Sequence, residues 1–210
     1  MKRMVLIGLV LLAFCACNPL RTMRINSIVG QEVQQTLNYP YSYDPVWIEV
    51  DSAFAPFDSP ELYNLLAEDM SLDISIEAYD MNIRTSLMTM RMMENNFSAE
   101  ARRQYAEARA ELQENMNLKQ DALDRQEEVK HGIERMTQEP RRFIGFKASH
   151  KYHAMDNNLQ LLLLHEMFIL SPRLDAVLGR YDLNNDFDKD IREMIENARK
   201  ENSKIEIEMI

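Results

Sequence analysis

Two histidines, a run of acidic residues and a cluster of methionines are the side chains of this 210-residue chain best suited to chemistry. Residues 143–155 alternate with a period of two and are rich in aromatics, and residues 159–170 read as a strand rich in large apolar residues. Asp156-Asn157-Asn158 between them reads as a turn. Asparagine tolerates positive φ, so Asn157 and Asn158 can form a two-residue hairpin turn. That register sets His150 opposite His165, with Cβ atoms about 5 Å apart. Opposed imidazoles can share zinc or copper; they can equally be partly buried residues satisfied by their neighbours. His153 falls on the other face, and a one-residue change of turn separates the pair. Met88, Met90, Met92 and Met93 bring four thioethers close in sequence. Thioethers bind copper(I), but on a helix these four spread over more than one face. That spread favours packing or a partner surface.

A second constellation follows at 182–193. Asp182, Asn184, Asp186, Asp188 and Asp190 occupy positions 1, 3, 5, 7 and 9 of a twelve-residue stretch, and Glu193 occupies position 12. This spacing resembles an EF-hand calcium loop. It departs from that pattern at Phe187, where the sharp turn wants glycine, and at Lys189, where an apolar residue is usual. The same residues also suit a loop followed by a helix N-terminus, where carboxylates are favoured by the helix dipole. No nucleophile elbow, phosphate-cradling glycine loop, dinucleotide fingerprint or His-Glu-x-x-His motif occurs. The expectation is a non-enzymatic protein without a cofactor.

The most specific signal is at the start. Lys2-Arg3 precede an apolar run of 11 residues, Met4 to Phe14, and then Cys15-Ala16-Cys17. A basic start, a short apolar stretch and small residues at a cut form an export signal. The run is too short to cross a bilayer, which takes about 20 residues. Ala16-Cys17 resembles a bacterial lipobox, in which a small residue precedes the acylated cysteine. Cleavage before Cys15 would instead put Phe14 at the cut. The resemblance implies residues 1–16 as signal peptide, a diacylglyceryl thioether on Cys17 and an acylated amine, hence palmitate-type lipidation. Each buried methylene contributes about 0.8 kcal/mol, so several acyl chains anchor stably. The chain has only these two cysteines, leaving none for a disulfide or thiolate metal site.

The positioning elements follow from the rest. Apolar residues make up 46% of the chain, enough for a core. Residues 17–45 read as the lipidated N-terminus and an irregular tether, and 46–210 as one folded domain. Val46–Val50 suggests a short strand, with Trp47 in the core. Ser59-Pro60-Glu61 is a helix start. Leu62, Leu66, Met70, Ile74, Ala78 and Met81 continue as an apolar face. Asn95-Asn96-Phe97-Ser98 breaks the pattern, and Ser98 can cap a second helix over about 99–138. Its stripe is Tyr105, Leu112, Met116, Leu123, Ile133 and Met136, flanked by charges as in a coiled coil. A short break implies an antiparallel helical hairpin over about 60–139, its second helix roughly 60 Å long. The β-hairpin at about 143–170 comes next. Helices at about 173–180 and 187–202 follow, the latter capped by Asp186. The tail Lys204–Met209 alternates and could add a strand. The fold class expected is therefore α+β, mostly α.

The net charge is −10, and loss of Lys2 and Arg3 with the signal makes it more negative. An acidic surface argues against nucleic acid and against electrostatic binding to anionic lipid. The leading expectation is a lipoprotein of the bacterial cell envelope, facing the periplasm and held by Cys17. Its helical hairpin would offer a surface to a protein partner. The alternative is a periplasmic protein that binds calcium, zinc or copper.

Overall fold

A computed structural model describes residues 20–208, so Cys17 and the signal lie outside the described residues. The fold is mixed α+β and mostly α, with four helices and a four-stranded antiparallel sheet. Two units make up the chain. One comprises residues 1–60 and 139–210, the other Glu61–Gln138.

The first unit is built on a sheet ordered β1-β2-β3-β4. Its strands are β1 (Asp44–Ala55), β2 (Arg142–Met155), β3 (Leu161–Leu170) and β4 (Val177–Asp182). A helix over 20–36, α1, covers one face. Ile25, Val29 and Val33 recur at four-residue spacing, are fully buried, and pack in one cluster with Phe146, Ala148, Tyr152 and Phe168. Residues 20–36 are thus part of the core, not the irregular tether that their polar composition suggests. Ile169, between Phe168 and Leu170, is buried as well. Since side chains alternate along a strand, the sheet is covered on both faces at this end. The last helix, α4 (Asp186–Glu208), touches β4 and buries Ile191 and Ile195. Gly145 adopts φ 141 and has no room for a Cβ against the Leu170 carbonyl, so only glycine fits there.

Four expectations change here. The hairpin of β2 and β3 is one part of a larger sheet, with β1 and β4 paired to its outer edges. Residues 177–180, expected within a short helix at about 173–180, belong to β4 instead, because pairing with β3 outweighs the weak local preference of a short segment. The tail continues α4 to Glu208 rather than adding a strand. The cap of α4 comes from Asn185, whose side-chain oxygen accepts from the Phe187 amide at 3.0 Å, not from Asp186.

The second unit is the antiparallel hairpin of α2 (Pro60–Met93) and α3 (Ala99–Thr137). Ser98 caps α3 as expected, its hydroxyl accepting from the Ala101 amide at 3.1 Å. The seam of α2 follows Leu62, Leu66, Asp69, Asp73, Ile76, Asp80 and Ile83, with the first three buried. It does not follow the apolar string Leu62-Leu66-Met70-Ile74-Ala78. Each four-residue step advances 40° round a helix, so four of them walk about 160° away from the starting face. Ile74 and Met81 therefore lie outside, 62% and 66% exposed. Met116 and Leu123 of α3 are exposed as well. The α3 seam is made instead of Ala101, Ala108, Ala122, Gln126 and Val129.

Candidate functional site

The register of β2 and β3 decides the fate of the histidine pair. Asp156 and Gln160 pair across a loop in which Leu159, not an asparagine, takes positive φ. His150 then faces Glu166 and His165 faces Lys151. The two imidazoles lie on opposite faces and cannot share a metal. His165 Nε2 lies 2.8 Å from Ser149 Oγ, and its ring meets Trp47 edge-on. The acidic stretch is also used up locally. Asp188 Oδ2 accepts from the Asp182 amide at 2.7 Å, and Asp182 Oδ1 accepts from the Asn184 amide at 2.9 Å. Asp186, Asp190 and Glu193 belong to α4. Among the described residues, no three His, Cys, Asp or Glu side chains converge as a metal site would need. Met88 and Met92 are exposed while Met90 and Met93 are half-buried, so the methionines occupy two faces of α2.

What the register does bring together is a buried polar network on the α1 face of the sheet. Glu166 accepts from Tyr152 Oη at 2.8 Å and from Arg180, whose Nη2 lies 2.9 Å from both carboxylate oxygens. Arg180 also donates to Thr36 Oγ1 on α1 at 2.7 Å. His150 stacks on Tyr152 with centroids 5.2 Å apart. Its Nδ1 lies 2.8 Å from the Trp47 carbonyl, so Nδ1 carries the proton and Nε2 accepts from Tyr43 Oη at 2.9 Å. Burial pushes His150 below the usual imidazole range, against the pull of the Trp47 carbonyl and Glu166. Burial, then the charge and hydrogen bond of Glu166, push Tyr152 far up. Desolvation works against the charge of Arg180, but its bonds to Glu166 prevail and hold it above its ordinary value.

Beside this network, a groove of about 620 Å³ runs between α1 and the first half of β1. Its rim is Asn26, Ser27, Gln31 and Gln34, and its floor is Tyr43 and His150. Gly30 lets the floor form, since a Cβ there would sit 3.3 Å from Tyr43 Oη. The lining holds no carboxylate, ammonium or guanidinium. Both nitrogens of His150 are engaged, so no free base opens into the groove.

Sequence reasoning missed Glu166, Arg180 and Tyr152. The signal was present: alternation puts Glu166 on the same face of β3 as Leu164, Phe168 and Leu170. A carboxylate in that row needs a cationic partner. Comparison with family models, curated proteins and solved structures finds no match to this chain.

Proposed function

We propose that this is a lipid-anchored protein of the bacterial cell envelope, acylated on Cys17, that acts by binding another protein rather than by catalysis. The observation that carries this reading is Ala16-Cys17 behind a basic start and an 11-residue apolar run. One structural feature supports it. Glu166, Arg180 and Tyr152 of the sheet unit are bonded to one another and His150 to Tyr43, which suits a scaffold more than a reaction centre. Among the described residues, no helix is long and apolar enough to cross a membrane.

The helix over 20–36 sharpens the anchoring. Only Asn18 and Pro19 separate Cys17 from residue 20. At up to ~3.6 Å per residue, a lipid on Cys17 holds the start of α1 within ~11 Å of the bilayer surface. The sheet unit then rests close to the membrane instead of swinging on a long tether. Metabolic labelling with an alkyne fatty acid tests the anchor. Label should enter the wild type and Cys15→Ala, and should be absent from Cys17→Ala. Label that persists in Cys17→Ala overturns the assignment.

A further inference from the structure

The outer face of α2 carries a second heptad seam. Ala67, Ile74, Met81 and Met88 recur every seven residues, and Ser71, Ala78, Thr85 and Met92 recur four residues after each. This is the a/d pattern of a coiled coil, on the side of α2 away from α3. Ile74, Met81, Met88 and Met92 are each more than 60% exposed. A seven-residue repeat of apolar positions matches the surface of another helix, not a sheet edge or a flat bilayer.

We propose that this face docks antiparallel onto the same face of a second copy of the chain. The sequence of α2 is self-complementary in one register. There, Ile74 meets the partner's Thr85, Met81 the partner's Ala78, Met88 the partner's Ser71, and Met92 the partner's Ala67. Every layer sets one large side chain against one small one, so the helices approach closely without voids. The two hydroxyls in the seam need no water. Ser71 Oγ donates to the Ala67 carbonyl at 2.8 Å and Thr85 Oγ1 to the Met81 carbonyl at 3.0 Å.

Charge selects the same register. Glu77 and Arg84 flank the seam on one side and are exposed. In this register Glu77 lies beside the partner's Arg84, and the twofold axis repeats the pair. Sliding the helices by one heptad sets Glu77 against the partner's Glu77, or Arg84 against the partner's Arg84. The Glu77–Glu77 slip is repulsive; the Arg84–Arg84 slip also brings Glu77 beside the partner's Arg91, yet keeps like charges together on the axis, so the register without a like-charge contact is favoured. A twofold interface of this kind closes on itself. The proposal does not depend on the lipid at Cys17.

The test uses the full chain in mild detergent, with sedimentation and native mass spectrometry across a concentration series. Wild type should be a dimer. Met81→Glu should weaken it at least tenfold, with helical circular dichroism unchanged because the residue is exposed. Glu77→Arg alone and Arg84→Glu alone should each weaken it about tenfold. Mixing these two single variants should restore association as heterodimers, because every flanking pair is then opposite in charge. A chain that stays monomeric at all concentrations overturns the proposal. So does a dimer indifferent to Met81→Glu, or a mixture no tighter than its separate components.

Discussion

The two units place polar and apolar side chains in opposite ways. In the sheet unit, buried charges are gathered into matched groups, Glu166 with Tyr152 and Arg180, and Asp58 with Lys147 and Arg199. In the helical hairpin, polar pairs interrupt an interface of leucine, isoleucine, valine and alanine, and large apolar side chains face outward. Across that interface Asn82 bonds Asn115 at 3.1 Å, Asp80 meets Lys119 at 2.7 Å, and Asp73 accepts from Gln126. Asp69 Oδ1 is buried without a hydrogen bond, and Lys130 Nζ is 3.9 Å away. The sheet unit hides its charges by matching them. The hairpin leaves one poorly matched and exposes the apolar area that a core would use. The proposed pairing of two α2 helices would cover this exposed apolar area.

The largest expected effect breaks the matched network. Glu166→Ala leaves the Arg180 guanidinium without its partner carboxylate in a mostly buried site. It should cost about 3–5 kcal/mol. Trp47 is the only tryptophan and lies on β1, so its fluorescence reports unfolding of the sheet unit in denaturant. Replacing both partners, as Glu166→Met with Arg180→Leu, should recover stability to within about 1 kcal/mol of wild type. Failure of the double variant to recover would show that the network holds the fold by more than mutual neutralisation. Next comes Ile25→Ala, expected to cost about 3 kcal/mol as a fully buried aliphatic truncation. An unchanged midpoint would mean that residues 20–36 are not in the core.

The long helices, their break and the cap at Ser98 were legible because periodicity over thirty or more residues and a capping hydroxyl are strong local signals. The α+β class was legible for the same reason. Less was readable where tertiary pairing decides. β4 is short and has no pattern of its own, and it exists because β3 offers an edge. α1 carries one narrow stripe, Ile25, Val29 and Val33, among polar residues. Its burial follows from the sheet face waiting for it. The candidate site turned on one residue of register. With Leu159 rather than Asn158 in the positive-φ position, His150 exchanges His165 for Glu166. A metal pair becomes a structural network. The seam of α2 was misread because its inner positions are acidic, so the apolar string led off the interface.

The contrast also predicts opposite responses to mild acid. His150 is buried, and its imidazole is depressed below the ordinary value of 6.5 chiefly by desolvation. The unfolded chain therefore binds a proton there first. Stability of the sheet unit from this group is present above pH 6.5 and is lost as pH falls toward the depressed folded value. The acid-side slope of Trp47 unfolding should flatten in His150→Gln.

In the hairpin the sign reverses, with a smaller effect. Asp69 is raised above the ordinary carboxylate value of 3.8, by desolvation first and by Asp73 as well, against the pull of Lys130 and Gln126. The folded state therefore holds this proton more tightly than the unfolded state. Between 3.8 and the raised folded value, stability falls as pH rises. Above that window, the charged carboxylate is a standing cost. Removing the charge with Asp69→Asn keeps the shape and should stabilise the hairpin by about 1 kcal/mol at pH 7. Hydrogen exchange of amides in residues 61–138, corrected for intrinsic rates, reads this separately from Trp47. Protection should rise in the variant at pH 7 and converge with wild type as pH approaches 3.8. If the variant is instead less protected at pH 7, the Lys130 contact outweighs the burial of Asp69. The polar seam would then be matched as fully as the network in the sheet.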